Sequence, residues 1–220
     1  MSPIPRIGIS RPRGFTPAEF LLSREQVEAV DLTEWDVLDL LEVGARTRAR
    51  IRRMLEGSGH RTILSTAPAY LFRDPDSTSE KITLLEELAE AFCAEAVLLR
   101  PGAALEQAPR DWRLPKGLSC WRDEGQTPRS QLRPHSSTTA VVDPLWQPLS
   151  GRTKHRGPFK LHGWHPSRWI RYYGREQLEV LATTCRRHEP TAVLFAHSMR
   201  NEEALTFRRL LARSDEQEHR

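Results

Sequence analysis

The chain predicts an α/β fold, a compact TIM-like (β/α)8 barrel with some helices short or missing. Three observations carry this. Eight short apolar runs recur along the sequence, with helical patterns between most of them. Several runs are rich in Val, Ile and Leu without clean alternation, as strands covered on both faces are. And 220 residues hold eight alternations only near the lower limit of the barrel fold, roughly 200 residues. An open doubly wound sheet is the alternative. It usually shows a Gly-rich turn after its first strand, and here that turn reads SRPRG.

The runs predict strands over Arg6–Ser10, Val27–Leu32, Thr62–Thr66, Ala96–Leu99, Gly117–Trp121, Thr139–Val142, Phe159–His162 and Ala192–Ala196. Thr16-Pro17 opens the first helix, with Thr as N-cap and Pro in the first helical position. Trp35–Leu55 reads as the longest helix. Its Trp35, Leu38, Leu41, Ala45 and Ala49 fall at spacings of three and four, and ARTRARIRR supplies a basic solvent face. Further helices are expected over Ser79–Ala94, Gly174–Arg187 and Asn201–Ala212, the last capped by Asn201 with Glu202 and Glu203 in its first turn. The helices after strands four and five look short. The one after strand six looks absent, because Pro144–Gly157 has no apolar period. No internal linker stands out, so residues 1–220 are expected to form one barrel domain, with Arg213–Arg220 as a frayed tail.

Composition narrows the class. No apolar run approaches the ~20 residues that span a bilayer, and MSPIPRIGIS lacks a signal-peptide core, so the expectation is a cytoplasmic protein without a membrane partner. Cys93, Cys120 and Cys185 are far apart and form no C-x-x-C pair, which argues against a zinc knuckle or redox motif. They read as buried reduced thiols. The formal charge is +4, and the only lysines are Lys81, Lys116, Lys154 and Lys160. Arginine suits bidentate contact with phosphate or carboxylate. A GC-rich genome inflates arginine too, and both signs of charge are interspersed.

Specific residues point further. LRPG after strand four, the Trp121-Arg122 pair on strand five, VVD on strand six, KLHGW on strand seven, RYYG-x-x-x-L and VLFAHS…NEEAL together resemble the YecE-like family, domain of unknown function 72. The likeness covers roughly Ile82–Leu211 and is loose before that. Pro101 matches the family's proline, Arg122 its arginine, Asp143 its aspartate, His162-Gly163 its His-Gly and Tyr173 its tyrosine. Lys160 stands where that family has arginine, Ser119 or Cys120 where it has glutamate, and Ala196–Ser198 where asparagines are usual. The resemblance implies a TIM-barrel-like fold and no reaction, since the family has none securely assigned.

In a (β/α)8 barrel the site is built at the C-terminal ends of the strands. That rule selects Ser10, Arg11, Asp31, Thr33, Ser65, Thr66, Arg100, Arg122, Asp123, Asp143, His162, His197 and Ser198. Asp143 and His162 end neighbouring strands and are the candidate acid/base pair, the carboxylate setting the ring's tautomer; a structural pair is the competing reading. Arg122, Lys160 and Arg100 are the candidate anion-binding groups, with an internal salt bridge as the alternative for Arg122. Asp31, Tyr173 and His197 complete the expected mouth. Asp31, Asp143, His162 and His197 suit a divalent metal by type, but no H-x-H or H-E-x-x-H spacing occurs, so no metal or cofactor is expected. Trp121, Trp146, Trp164 and Trp169, with Tyr172 and Tyr173, stand near basic loop residues in a pattern that serves base stacking or a hydrophobic lid. No G-x-S-x-G elbow and no P-loop is present. The leading expectation is a barrel that binds a phosphate-bearing ligand or nucleic acid at its mouth, with hydrolysis as an extension. A non-catalytic binding or scaffold protein, and an enzyme acting on a carboxylate or sugar phosphate, are the alternatives.

Overall fold

The computed structural model describes residues 4–10, 12, 14–100, 117–123, 138–146, 149, 155–163, 172–196 and 200–218. In chain order the elements are β1 Arg6–Ser10, α1 Pro17–Leu21, α2 Arg24–Ala29, β2 Leu32–Asp36, α3 Val37–Leu41, α4 Ala45–Ser58, β3 Arg61–Thr66, α5 Pro68–Phe72, α6 Thr78–Ala91, β4 Ala94–Leu99, β5 Ser119–Asp123, β6 Thr139–Val141, β7 Phe159–Leu161, α7 Arg175–His188, β8 Ala192–Phe195 and α8 Arg200–Glu218. The eight strands form one sheet in the order β6-β5-β4-β3-β2-β1-β8-β7. The ladders β1/β8, β2/β3, β3/β4, β4/β5 and β7/β8 are parallel. Val142, just past β6, adds a parallel bridge to Phe159 of β7. This is the strand order of a TIM-like (β/α)8 barrel, and α1, α2, α3 and α5 are short; the segments after β4 and β5 and most of that after β6, where short or absent helices were expected, lie outside the described residues. Its contacts cluster into two compact units, residues 11–140 and residues 1–10 with 141–220.

Two parts of the N-terminal third differ from expectation. Val27–Leu32 is not the second strand. Ser23 accepts a hydrogen bond from the Gln26 amide and, with Glu25 in the first turn, starts helix α2. The strand is the next run, Leu32–Asp36, buried along its whole length, whose Thr and Trp suit a sheet. The long helix expected from Trp35 is therefore a strand end followed by two helices. Asp36 caps α3 through the Leu38 amide, and the chain restarts as α4 after Gly44. The buried face of α4 is Ile51 and Leu55, while Leu38, assigned to a core stripe, is 55% exposed.

Elsewhere the local rules hold. Thr16 caps α1 in a full capping box with Glu19, and Pro17 is its first residue. Gly174 precedes α7, and its amide is met by the Gln177 side chain at 3.0 Å. α8 begins at Arg200, so Asn201 is not its cap, and the helix runs through Glu218 instead of fraying from Arg213. Cys120 and Cys185 are buried, but Cys93 is half-buried in the left-handed turn that ends α6, with φ 49°.

Alternation along β2 assigns the sheet faces of the 11–140 unit. Trp35 packs edge-on against Phe20 of α1, so Thr33 and Trp35 face helices while Glu34 and Asp36 face the other side. The register aligns Asp36 with Ser65, Ser65 with Leu98 and Leu98 with Trp121. In the other unit Phe195 of β8 packs on Phe207 of α8. Lys160, aligned with Leu194, therefore lies on the face of the sheet turned away from that helix.

Candidate functional site

In the 11–140 unit, polar side chains gather where β2, β3 and β4 end. Arg100, the residue after β4, is fixed by its backbone, whose amide donates to Thr66 O at 2.9 Å. Its guanidinium Nη1 pairs with Asp36 Oδ2 at 2.8 Å, with Asp36 nearly buried and 34% of the Arg100 side chain open to solvent. Asp36 Oδ1 accepts from the Leu38 amide at 2.9 Å, so one carboxylate caps a helix and holds the arginine. Arg100 Nε and the Ser65 hydroxyl are shielded from solvent and find no hydrogen-bond partner among the described residues. An unmade bond at a buried donor costs about 1–3 kcal/mol, and functional sites are where such costs accumulate.

In the other unit, the His162-Gly163 pair is pinned through its backbone. The His162 amide donates to Asp143 Oδ2 at 3.0 Å. The Gly163 amide, at φ 73°, donates to the Tyr173 hydroxyl at 3.0 Å. Asp143 Oδ1 takes the Leu145 and Trp146 amides at 3.1 and 3.3 Å, the geometry of an Asx turn. The Tyr173 amide donates to the Glu203 carboxylate of α8 in a short bond. Burial pushes the Asp143 carboxyl above the usual carboxylate range against the pull of His162 and the amides. Burial also pushes the Tyr173 phenol up, helped by the charges of Asp143 and Glu203.

The expected residues are distributed as follows. Asp143 and His162 do meet: the carboxylate accepts from the histidine's backbone amide and also holds the turn at Leu145 and Trp146. Tyr173 joins them. Arg100 stands at a strand end and is partly open. Lys160 is the middle residue of β7, 5% exposed and not free. Arg122 is the next-to-last residue of β5 and half-buried. Alternation puts it on the face of Cys120, not that of Trp121 and Asp123, and its charge favours the Cys120 thiolate. Asp31 is a correction. Its carbonyl accepts from the Arg61 amide at the start of β3, so it precedes β2 and lies at the N-terminal end of the strands. Strand β2 begins one residue after it, and Asp36 holds the strand-end position assigned to Asp31. His197, Ser198, Trp164 and Trp169 fall outside the described residues.

Asp36 is the residue that sequence reasoning missed. The signal was present in Thr33 and Trp35, residue types that favour strands, but the helical spacing from Trp35 onward masked it. Burial raises the Cys120 and Cys185 thiols to about 12, which favours their protonated form near neutral pH, and raises Cys93 as well. Among the described residues no three His, Cys, Asp or Glu side chains come together in a metal-holding group, and no described helix is long and apolar enough to cross a membrane.

No family model and no curated protein matches the chain. Solved structures do resemble it. SacUVDE superposes with TM-score 0.62 at 10% identity, covering 96% of this chain and 99% of that one. A D-psicose 3-epimerase with D-tagatose from Clostridium cellulolyticum gives 0.58 at 12% identity, over 94% and 98%. A xylose isomerase domain containing protein from Salmonella typhimurium gives 0.56 at 13% identity, over 94% and 97%. At such identities the likeness establishes the TIM-like fold. It also means that the barrel accounts for nearly the whole length of each of these neighbours.

Proposed function

We propose that this chain binds a phosphate-bearing ligand at the C-terminal ends of its strands, with Arg100 as the principal anion contact. The observation that carries the reading is the Arg100 guanidinium. It is aimed by Asp36, a third exposed, and retains an Nε–H without an acceptor among the described residues. A guanidinium held by one carboxylate oxygen keeps donors for a second anion, and its fork matches phosphate. Phosphate on a small molecule and phosphate in nucleic acid share this chemistry. Kinship with the YecE-like family belongs to the same reading and is supported by the pinned His162-Gly163 pair and its Tyr173 partner.

The test is calorimetric titration with inorganic phosphate, a nucleoside monophosphate and a hexose phosphate, followed by a labelled oligonucleotide at two salt concentrations. Arg100→Gln should weaken the best binder at least tenfold. Equal binding by the variant, or no binding by the wild type, would overturn the proposal.

A non-catalytic role is the second reading, favoured by one observation. Among the described residues the hydrogen bonds to Asp143 come from backbone amides, which describes a structural carboxylate better than an orienting base. Hydrolysis would rest on the half-buried His162. A phosphate-release assay on aryl phosphates decides it: turnover that His162→Ala abolishes supports chemistry, and no turnover supports binding alone.

A further inference from the structure

Helix α4 carries five arginines, and the structure divides them into two groups. Arg48 donates from Nε to Val43 O at 2.7 Å and from Nη2 to Leu41 O at 3.0 Å, closing the end of α3. Arg52 bridges Glu56 at 2.8 Å and Glu90 of α6 at 2.6 Å. These two are structural. Arg46, Arg50 and Arg53 are not. All three are exposed, and their spacing of four and three residues puts them on one stripe of the helix. Among the described residues Arg53 bonds only within its own helix, at Ala49 O. Among the described residues no partner meets the Arg46 or Arg50 side chain, and neither Asp39 nor Glu42, the nearest acidic residues before them, pairs with them.

This stripe runs against helix stability. Like charges four apart repel. The first turn of α4 holds Arg46 and no acidic residue, and Gly44 gives no side-chain cap, so a cation stands at the positive end of the helix dipole. The same chain follows the opposite rule in α7, where Glu176 is in the first turn, Arg186, Arg187 and His188 are in the last, and Arg175 pairs with Glu179. A stripe that costs stability and is left unpaired suits a partner that brings the negative charge.

We infer that the outer face of α4 docks the phosphate backbone of a nucleic acid through Arg46, Arg50 and Arg53. Helical rise spaces the three along the axis by about 6 and 4.5 Å, a run of cations that follows a strand of regularly spaced phosphates. An anionic membrane is the poorer partner. A helix lying on lipid needs apolar side chains on its outer face, whereas Ile51 and Leu55 of α4 are fully buried in the fold. The inference does not depend on Arg100, which lies on a different element.

The test compares wild type, R46Q/R50Q/R53Q and a control of equal charge loss, R24Q/R175Q/R209Q, for binding a labelled 20-base-pair DNA duplex between 50 and 200 mM salt. Three lost phosphate contacts flatten the salt slope by about 2.7, so over this fourfold range wild-type affinity should fall roughly 40-fold more than that of the stripe variant. The control should keep the wild-type slope. Circular dichroism checks that all three proteins are folded. Equal slopes for wild type and stripe variant, an equal loss in the control, or no binding by the wild type at 50 mM salt overturns the inference. So does stronger binding to phosphatidylcholine–phosphatidylserine vesicles than to the duplex. Because Arg100 is intact in the stripe variant, small phosphate ligands should bind it as they bind the wild type.

Discussion

Near the start of β2, the Thr33 hydroxyl lies between the His60 ring and the Trp35 indole. His60 Nδ1 is 2.9 Å from Val30 O and its Nε2 is 2.9 Å from Thr33 Oγ1, while Trp35 Nε1 donates to the same hydroxyl at 3.1 Å. A carbonyl only accepts, so Nδ1 carries a proton and donates to Val30 O, while Nε2 meets the Thr33 hydroxyl. On the neighbouring strand, Thr62 Oγ1 donates to Phe92 O at 2.8 Å. At the other end of these strands, Asp36 and Arg100 are paired, but among the described residues Ser65 Oγ and Arg100 Nε have no bond. One end of the unit is closed in its polar chemistry and the other is held open. In barrels the N-terminal face serves stability and the C-terminal face serves function, and the proposed anion contact lies at the end whose polar groups are less fully paired.

The comparison can be broken most directly at His60. His60→Ala strips a partner from both Val30 O and Thr33 and leaves a cavity, so urea denaturation should show a loss of about 3 kcal/mol or more. A loss below about 1 kcal/mol would mean that the closed end is not where stability resides. At the open end, Ser65→Ala should change stability by no more than about 0.5 kcal/mol in either direction, because it removes a hydroxyl that makes no bond. A destabilisation of 2 kcal/mol or more, on the scale of a buried-network loss, would show that Ser65 is part of the frame.

The smallest effect concerns Asp143. Burial raises its carboxyl above the ordinary value, near 3.9 for an unfolded aspartate. The folded state therefore holds this proton more tightly than the unfolded one. The stabilisation from protonating Asp143 is complete below the unfolded pKa and is lost as pH rises through the folded one. Wild-type stability relative to Asp143→Asn should thus improve as pH falls from 7 towards 4. A difference independent of pH would remove burial as the dominant influence on this group.

Much of this fold was readable because its signals are local. The runs at β1, β3, β4 and β8 are apolar and bounded by helical patterns, and Thr16-Pro17 announces a cap in two residues. β2 was obscured by competition. VEAVDL alternates like a strand but follows a capping serine, while the strand LTEWD abuts a helix whose period can be extended back to Trp35. That error carried Asp31 into the candidate site and Asp36 out of it. The role of Asp143 was half visible, since an aspartate ending a strand suggests polar work, but only three dimensions reveal that amides take its oxygens. The His60 network was beyond reach, because Val30 and Thr33 lie about thirty residues away and no periodicity links them. For α4 the basic face was plain, while its division into structural and unpaired arginines depends on the carbonyls and carboxylates that neighbouring helices present.

Asp36 deserves a last consequence. Its two oxygens serve different masters, one the Leu38 amide and the other the Arg100 guanidinium. Any anion that draws Arg100 towards itself must also redistribute charge on the carboxylate that anchors the first turn of α3. The Leu38 amide is thus an intrinsic reporter: its exchange with deuterated solvent should register occupancy at Arg100 with no label attached to the protein.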